Sequence, residues 1–468
     1  MKKLGAAIWK WLDDRTSIAA FFERILAGEV EKNGAWLRTT GMAIFVLVLV
    51  ECVTGPILGL YYTPSPTQAY DDIVAIQANP MGRFLRGIHH FSSAAILLLI
   101  ILMVGRMFFG HEYKKRHDFV WVITLLFAQL ALFFQLTGHI LPWDTNAAGT
   151  ANVEAGFAGN LWGIGAYLKR FILGGSAVGG VTLTRWYGFH TLVFPLALLL
   201  VVGLPLLAHR LRRPDDPDCP DDPDPLGAPP HECEPYFPWH LAREMAVALA
   251  VFLALAALAW FRKAPLELEA TADNLAGYQA YSEWYVLPLH ALTLLPPFNN
   301  VAFEPIATLL IPGGVLTILI ALPFLYRMPN RPKITMPVVP IMGALIIMVA
   351  AGLYMYAFTK ERPQAQKQIE RIAILKGEKQ ILIDTNLVAD GKKLYAAQSC
   401  DGCHAIAGQG GKVGPNLTKA GLLHPDREWQ IKHLAKPDAE VPGSTMPAYG
   451  HLKTDELRAL AEYMLSLR

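Results

Sequence analysis

Residues 84–91, Phe-Leu-Arg-Gly-Ile-His-His-Phe, and residues 183–190, Leu-Thr-Arg-Trp-Tyr-Gly-Phe-His, open two long apolar runs. In each, an arginine (Arg86, Arg185) precedes a histidine (His89, His190). Counted from the ends of their runs, both histidines lie about five or six residues in, or about 8–9 Å along a helix. A lone intramembrane histidine is usually a hydrogen-bonded core residue. Two imidazoles at equal depth on neighbouring helices can hold one iron from both faces, with Arg86 and Arg185 placed to pair with porphyrin propionates.

The rest of the chain fits a membrane setting. Its 468 residues are 53% apolar and only 17% charged, against about 25% charged in ordinary soluble domains. Lys+Arg 41 against Asp+Glu 39 excludes a strongly basic nucleic-acid binder, and five cysteines are too few and scattered for a disulfide scaffold. Seven stretches approach the roughly 20 apolar residues needed to cross a bilayer: spans A (38–61), B (84–109), C (118–138), D (185–208), E (240–260), F (304–326) and G (336–358). Before them, residues 1–26 mix Trp9, Trp11, Phe21 and Phe22 with charges, as an interfacial amphipathic helix does. No cleavable signal peptide is expected.

Cations set the orientation. Lys2, Lys3, Lys10 and Arg15 precede span A. Lys114, Lys115 and Arg116 lie between B and C, Arg210, Arg212 and Arg213 after D, and Arg327, Arg331 and Lys333 between F and G. These segments are expected on the cytoplasmic, negative (n) side. Seven crossings then deliver the C-terminus to the positive (p) side. The connector after span D is dense in Pro and Asp, which predicts an extended, solvated linker. Its Cys219, His231 and Cys233 match no standard metal-site spacing.

From Asn386 the composition turns soluble, and Cys400-Asp-Gly-Cys403-His404 appears. Cys-x-x-Cys-His is the attachment signature of c-type haem. A predicted helix (389–398) precedes it; Gly414-Pro415-Asn416-Leu417, Ser444-Thr445-Met446-Pro447 and a predicted helix at 454–467 follow. That order resembles class I cytochrome c over about 80 residues. The resemblance makes His404 the proximal and Met446 the distal iron ligand, a pair that raises the haem potential. It also places the tail outside the cytoplasm, in agreement with the charge count. Residues 359–385 form a charged tether, about 40 Å long if helical and at least twice that if extended.

The membrane part resembles cytochrome b of the quinol-oxidising bc complexes. The likeness rests on Arg86-x-x-His89, Leu141-Pro142-Trp143, Thr184-Arg185-x-Tyr187-x-x-His190 and Ser282-Glu283-Trp284-Tyr285. It implies an all-α fold: a seven-transmembrane-helix cytochrome b bundle with a C-terminal soluble helical cytochrome c domain. The domains expected are a four-helix haem-binding part (1–212), the linker (213–235), a three-helix subunit IV-like part (236–358), the tether (359–385) and the cytochrome c domain (386–468). Gly41 and Gly55 fall where the family lets a haem lie against helix A. Glu283 corresponds to the glutamate of the family's PEWY motif, which accepts a proton from quinol, and Tyr285 lines the same pocket; here serine replaces the proline.

Departures from the family bear on mechanism. Its second, n-side haem needs a deeper histidine on both B and D, but the corresponding positions are Met103 and Leu204/Pro205. Two readings stay open: an n-side haem held by Met103 and His209, with Pro205 kinking span D, or no haem there, its place empty or taken by another cofactor. Glu51 stands mid-span A where relatives carry glutamine, either protonated or in a proton path. His139 stands where relatives often have tyrosine, and Cys52 reads as an inert buried thiol.

The resemblance therefore implies one p-side haem b at His89/His190, one covalent haem c, and a fused cytochrome b/c subunit of a quinol:cytochrome c oxidoreductase. Its implied partners are a separate Rieske iron–sulfur protein, menaquinol or ubiquinol, a soluble c-type cytochrome or other high-potential acceptor, and a second copy in a homodimer, all at a bacterial-type inner membrane. A non-bifurcating quinol dehydrogenase and a membrane-anchored cytochrome c module are the alternatives.

Overall fold

The computed structural model describes residues 2–31, 39–114, 117–212, 233–275, 278, 280–327, 335–375, 383–441 and 443–468. Lys115, Arg116, Arg213, Cys219, His231, Arg331 and Lys333, and with them most of the expected linker, lie outside the described residues, as does the side chain of Cys233. The described chain divides into two compact units, residues 1–266 with 284–354 and residues 267–283 with 355–468.

Among the described residues, seven helices are long and apolar enough to cross a membrane: Thr40–Gly59, Pro80–Phe109, Asp118–Ile140, Gly180–Leu211, Tyr236–Phe261, Ile306–Arg327 and Val339–Lys360. They correspond one for one to spans A–G. Lipid gives no water to an exposed peptide group, so each crossing must satisfy its backbone internally, which a helix does. Spans B and D begin earlier than the apolar runs suggest, because polar caps extend them. The Asn79 side chain accepts from the Met81 and Gly82 amides at 2.9 and 3.2 Å, with Pro80 in the first turn. At span D the Gly179 amide donates to the Thr182 hydroxyl at 3.0 Å. His89 and His190 thus lie nine and ten residues past the helix starts at Pro80 and Gly180, deeper than expected but still matched.

Within the first unit, spans A, B and E pack on one another, B also packs on C, and C meets D and F. Ile44 and Leu47 of A, Ile96, Leu97 and Ile100 of B and Ala131 of C form one core, joined by Val251 and Leu255 of E. A second core gathers Met107, Phe108, Tyr113, Trp121, Leu125 and Leu322, and the Trp121 indole donates to the Leu319 carbonyl at 2.8 Å. Leu98, Ile101 and Leu102 of span B stay exposed, as a lipid-facing stripe requires.

Span D is not a uniform α-helix. It widens into π turns at Phe189–Val193 and Leu198–Gly203, where the Phe194 and Leu204 amides reach back five residues to Phe189 and Leu199. Each wide turn comes just before a proline, Pro195 or Pro205, which lacks a donor and crowds the carbonyl four residues back. The N-terminal segment is two helices, Lys2–Thr16 and Ile18–Leu26, broken at Ser17 (φ 50°), with Trp9, Trp11 and Phe22 exposed.

Span G and the first part of the tether form one unbroken helix, Thr335–Leu375, of 41 residues. In the second unit, helix Thr385–Ala397 crosses helix Thr454–Ser466. Gly391 permits the close approach, since a Cβ there would sit 2.0 Å from the Ala459 carbonyl oxygen. Tyr395, Cys400, Leu434, Leu457, Leu460 and Met464 close the core around this crossing. Glu462 is fully buried there; it pairs with Arg427 and accepts from the Asp384 amide at 3.0 Å.

Removing Arg427 would leave the Glu462 carboxylate buried without its cation. Arg427→Ala is therefore expected to destabilise the C-terminal unit by about 3 kcal/mol. The check is a urea titration of the full detergent-solubilised chain, followed in the Soret band of the c-type haem.

Candidate haem-binding sites

Span A presents Glu51, Thr54 and Gly55 on one face, at helical spacings of three and four. All three meet His89 of span B. The Thr54 hydroxyl and Glu51 Oε2 lie 2.9 and 2.7 Å from His89 Nδ1, and a Cβ on Gly55 would come 3.3 Å from the ring. Span C repeats the arrangement with Phe134, Thr137 and Gly138 against His190 of span D. The Thr137 hydroxyl is 3.1 Å from His190 Nδ1, the Phe134 ring meets the imidazole edge-on at 5.6 Å, and a Cβ on Gly138 would fall 2.7 Å from the ring.

These contacts fix the tautomers. Thr54 donates its own hydrogen to the Val50 carbonyl and Thr137 to that of Phe133, so each hydroxyl can only accept from the imidazole. Both rings therefore carry their hydrogen on Nδ1 and keep a lone pair on Nε2, as a metal-ligating histidine does. The ring centroids are 6.2 Å apart. A metal–imidazole nitrogen bond is about 2.0–2.1 Å with the centroid about 1.1 Å behind the nitrogen, so two rings on one metal need about 6.2 Å. His89 and His190 thus fit a haem held from both faces.

Arg86 and Arg185 are engaged by backbone carbonyls. Arg86 is buried and donates to Ala264 and Pro265 at 3.0 and 2.7 Å, tying span B to the segment after span E, while Arg185 donates to Phe171 at 2.5 Å. Beside them, Tyr62 donates to the Leu141 carbonyl at 2.7 Å and stacks on Tyr187; burial holds its hydroxyl well above the usual phenol range. Asp144 caps the helix Thr145–Gly159 after Leu141-Pro142-Trp143. The loop that follows is fastened to the E–F segment, with Asn160 on Glu304 at 2.5 Å and the Trp162 indole on the Ala302 carbonyl at 2.9 Å.

The C-terminal unit repeats the tautomer logic. His404 Nδ1 donates to the Pro415 carbonyl at 2.8 Å, leaving Nε2 with its lone pair, and Gly414 lies so close that a Cβ would come 2.5 Å from the ring. Cys400 is buried and Cys403 exposed, both as free thiols. Met446 packs partly buried against the domain core. Tyr395 donates to the His404 carbonyl at 3.4 Å, and burial pushes its hydroxyl up to about 12, so it remains a donor at neutral pH. These residues fit a covalent haem c with His404 as ligand.

Elsewhere the expected residues are distributed. Tyr285 packs with Trp284 against the core of spans A and B, and Glu283 is half-buried one residue before Trp284. Met103 belongs to both helix cores, whereas the His209 ring stacks on Phe119 at 5.0 Å. Gly55 lies against His89, and a Cβ on Gly41 would meet nothing within 4 Å. His139 bonds Thr150 at 2.9 Å, and Cys52 is exposed on its helix, not buried as expected. Thr54, Thr137 and Gly138 went unnoticed in the sequence, although the Thr-Gly pairs at 54–55 and 137–138 were a visible signal.

A family model described as cytochrome b (N-terminal)/b6/petB matches residues 94–269, and a cytochrome c model matches residues 388–468. Cytochrome b6 of Synechococcus sp. (strain JA-3-3Ab) is 30% identical over 190 residues, 40% of this chain and 88% of that protein. Cytochrome b6 of Rippkaea orientalis is 30% identical over 204 residues, 43% of this chain and 92% of that one. Among solved structures, a chain of a hyperthermophilic respiratory Complex III aligns with a TM-score of 0.58 at 22% identity, covering 74% of this chain and 90% of that chain, a likeness of fold. Fold and sites together define a multi-pass membrane electron-transfer protein that carries haem b in its helices and covalent haem c in its tail. The chain belongs to the cytochrome b/b6 family, as a bc-type subunit with a cytochrome c domain joined to it.

A side chain at Gly138 would occupy the space of the His190 ring. Gly138→Val is expected to abolish the b-type absorbance of the purified chain while the covalent c-type signal persists. A pyridine haemochrome spectrum reads both.

Proposed function

We propose that this chain is the fused cytochrome b/c subunit of a quinol:cytochrome c oxidoreductase, oxidising a membrane quinol, menaquinol or ubiquinol, on the p side. The observation that carries this reading is one chain with two ligand sets, the His89/His190 pair at matched depth in the membrane helices and His404 beside Cys400 and Cys403 in the tail. When bound, the haems supply one-electron carriers, whereas a quinol surrenders two electrons and two protons.

Glu283 accepts a proton from the quinol, as a half-buried carboxylate just before the turn at 284–286. Tyr285, wedged against spans A and B, forms an apolar wall for the quinol ring. Arg86, fixed to the carbonyls of Ala264 and Pro265, holds the segment that follows span E against span B. The other electron goes to a separate Rieske iron–sulfur protein, in keeping with the likeness of the membrane part to cytochrome b of the bc complexes. The N-terminus is then cytoplasmic, the tail extracytoplasmic in a bacterial-type inner membrane, and the functional unit a homodimer that hands electrons to a soluble c-type cytochrome.

A second reading, a quinol dehydrogenase without bifurcation, draws on the n-side positions. Met103 is packed into two apolar cores, and Leu204 and Pro205 offer no ligand, which supports one haem b per chain. Isolation with or without a stoichiometric Rieske partner separates the two.

Pyridine haemochrome analysis is expected to give one b and one c haem per chain; two b haems would restore an n-side site. His190→Leu should remove the b band and spare the c band. Glu283→Gln should slow quinol oxidation at least tenfold with haem content unchanged, and normal turnover in that variant would remove Glu283 from the reaction.

A further inference from the structure

The two haem-facing histidines are clamped unequally. Each Nδ1–H is met by a threonine hydroxyl, Thr54 for His89 and Thr137 for His190. Only His89 also meets a carboxylate, with Glu51 Oε2 at 2.7 Å, closer than the threonine at 2.9 Å. Because the Thr54 hydrogen is committed to the Val50 carbonyl, Thr54 and Glu51 are both acceptors sharing a single Nδ1–H. The other Glu51 oxygen, Oε1, is buried and makes no hydrogen bond among the described residues. Among the described residues nothing else competes for this carboxylate, so its interaction is directed at the imidazole.

From this geometry we infer that Glu51 is a positioning residue that acts through His89 to set the redox potential of the haem held by His89 and His190, lowering it. The inference rests on the proposed ligation by that pair. A hydrogen bond to a carboxylate is roughly twice as strong as one to a neutral oxygen. It draws the Nδ1 proton away from the ring and makes Nε2 a better electron donor to the iron. Stronger donation stabilises the ferric state over the ferrous, one of the levers by which a protein tunes a haem. On the other face, Thr137 and the Phe134 edge add no charge, so the effect enters through one ligand only.

Glu51→Gln tests this, because glutamine keeps the shape and an acceptor oxygen while removing the charge. The full chain, purified in detergent, is titrated with redox mediators at the b and c absorption bands. The variant is expected to keep one haem b per chain, shift its midpoint upward so that the ferrous/ferric ratio at a fixed ambient potential rises about tenfold, and leave haem c unmoved. An unchanged or lowered midpoint overturns the assignment. A second measurement needs no substitution: the near-infrared magnetic circular dichroism of the oxidised protein. Its charge-transfer band is expected at higher energy than in bis-imidazole haems whose Nδ1–H meets only neutral acceptors. A band at the neutral position overturns the inference even where the variant loads no haem. A wild-type chain with no b-type haem instead overturns the His89/His190 ligation itself.

Discussion

The placing of the two facing imidazoles depends on two hydrogen bonds, those from the Nδ1–H groups of His89 and His190 to the hydroxyls of Thr54 and Thr137. A neutral imidazole has two tautomers, and only one presents a lone pair at Nε2. Thr54 and Thr137 resolve the choice because each has already given its hydrogen to a carbonyl one turn back. The same hydroxyls fix the angle of each ring. Matched depth, the 6.2 Å ring separation and the glycines that make room all serve a geometry that these bonds define.

His404 in the C-terminal unit follows the same rule in a different fold. The Pro415 carbonyl takes its Nδ1–H, and Gly414 replaces the helical glycine against the ring. In all three cases a histidine is held by one acceptor at its back and a missing side chain at its flank. Dispersion and hydrogen bonding, not the hydrophobic effect, hold the helices that carry His89 and His190 in lipid. Close approach at glycine and precise polar pairs therefore do more there than apolar area does. Arg86, bonded to two carbonyls beyond span E, is one such pair, closing the helix bundle near the end where His89 lies.

Much of this was legible in the sequence. The seven spans emerged from apolar run length, because a bilayer imposes a minimum that few soluble helices meet. Cys400, Cys403 and His404 were recognisable because their chemistry is local to five residues. The helix starts were misplaced by several residues, since Pro80 and Gly180 extend their helices through polar caps that hydropathy ignores. Glu51 was visible as an anomaly, but its partner was not: residues 51 and 89 are brought together only by the packing of span A on span B. Arg86 and Arg185 read as propionate partners, whereas the fold gives each of them backbone carbonyls as well.

By itself the sequence determined which stretches are long and apolar enough to cross a membrane, how far along their runs His89 and His190 stand, and where the thiols for a covalent haem stand. Those properties follow from composition, helical rise and the spacing of neighbouring residues. Tertiary structure decided which tautomer each histidine adopts, that Thr54, Thr137 and Gly138 pack against the two rings, and that only one of the two facing rings meets a carboxylate. A hydrogen bond between helices depends on their rotation and separation to within a fraction of an ångström, and no pattern along a single strand of sequence encodes that.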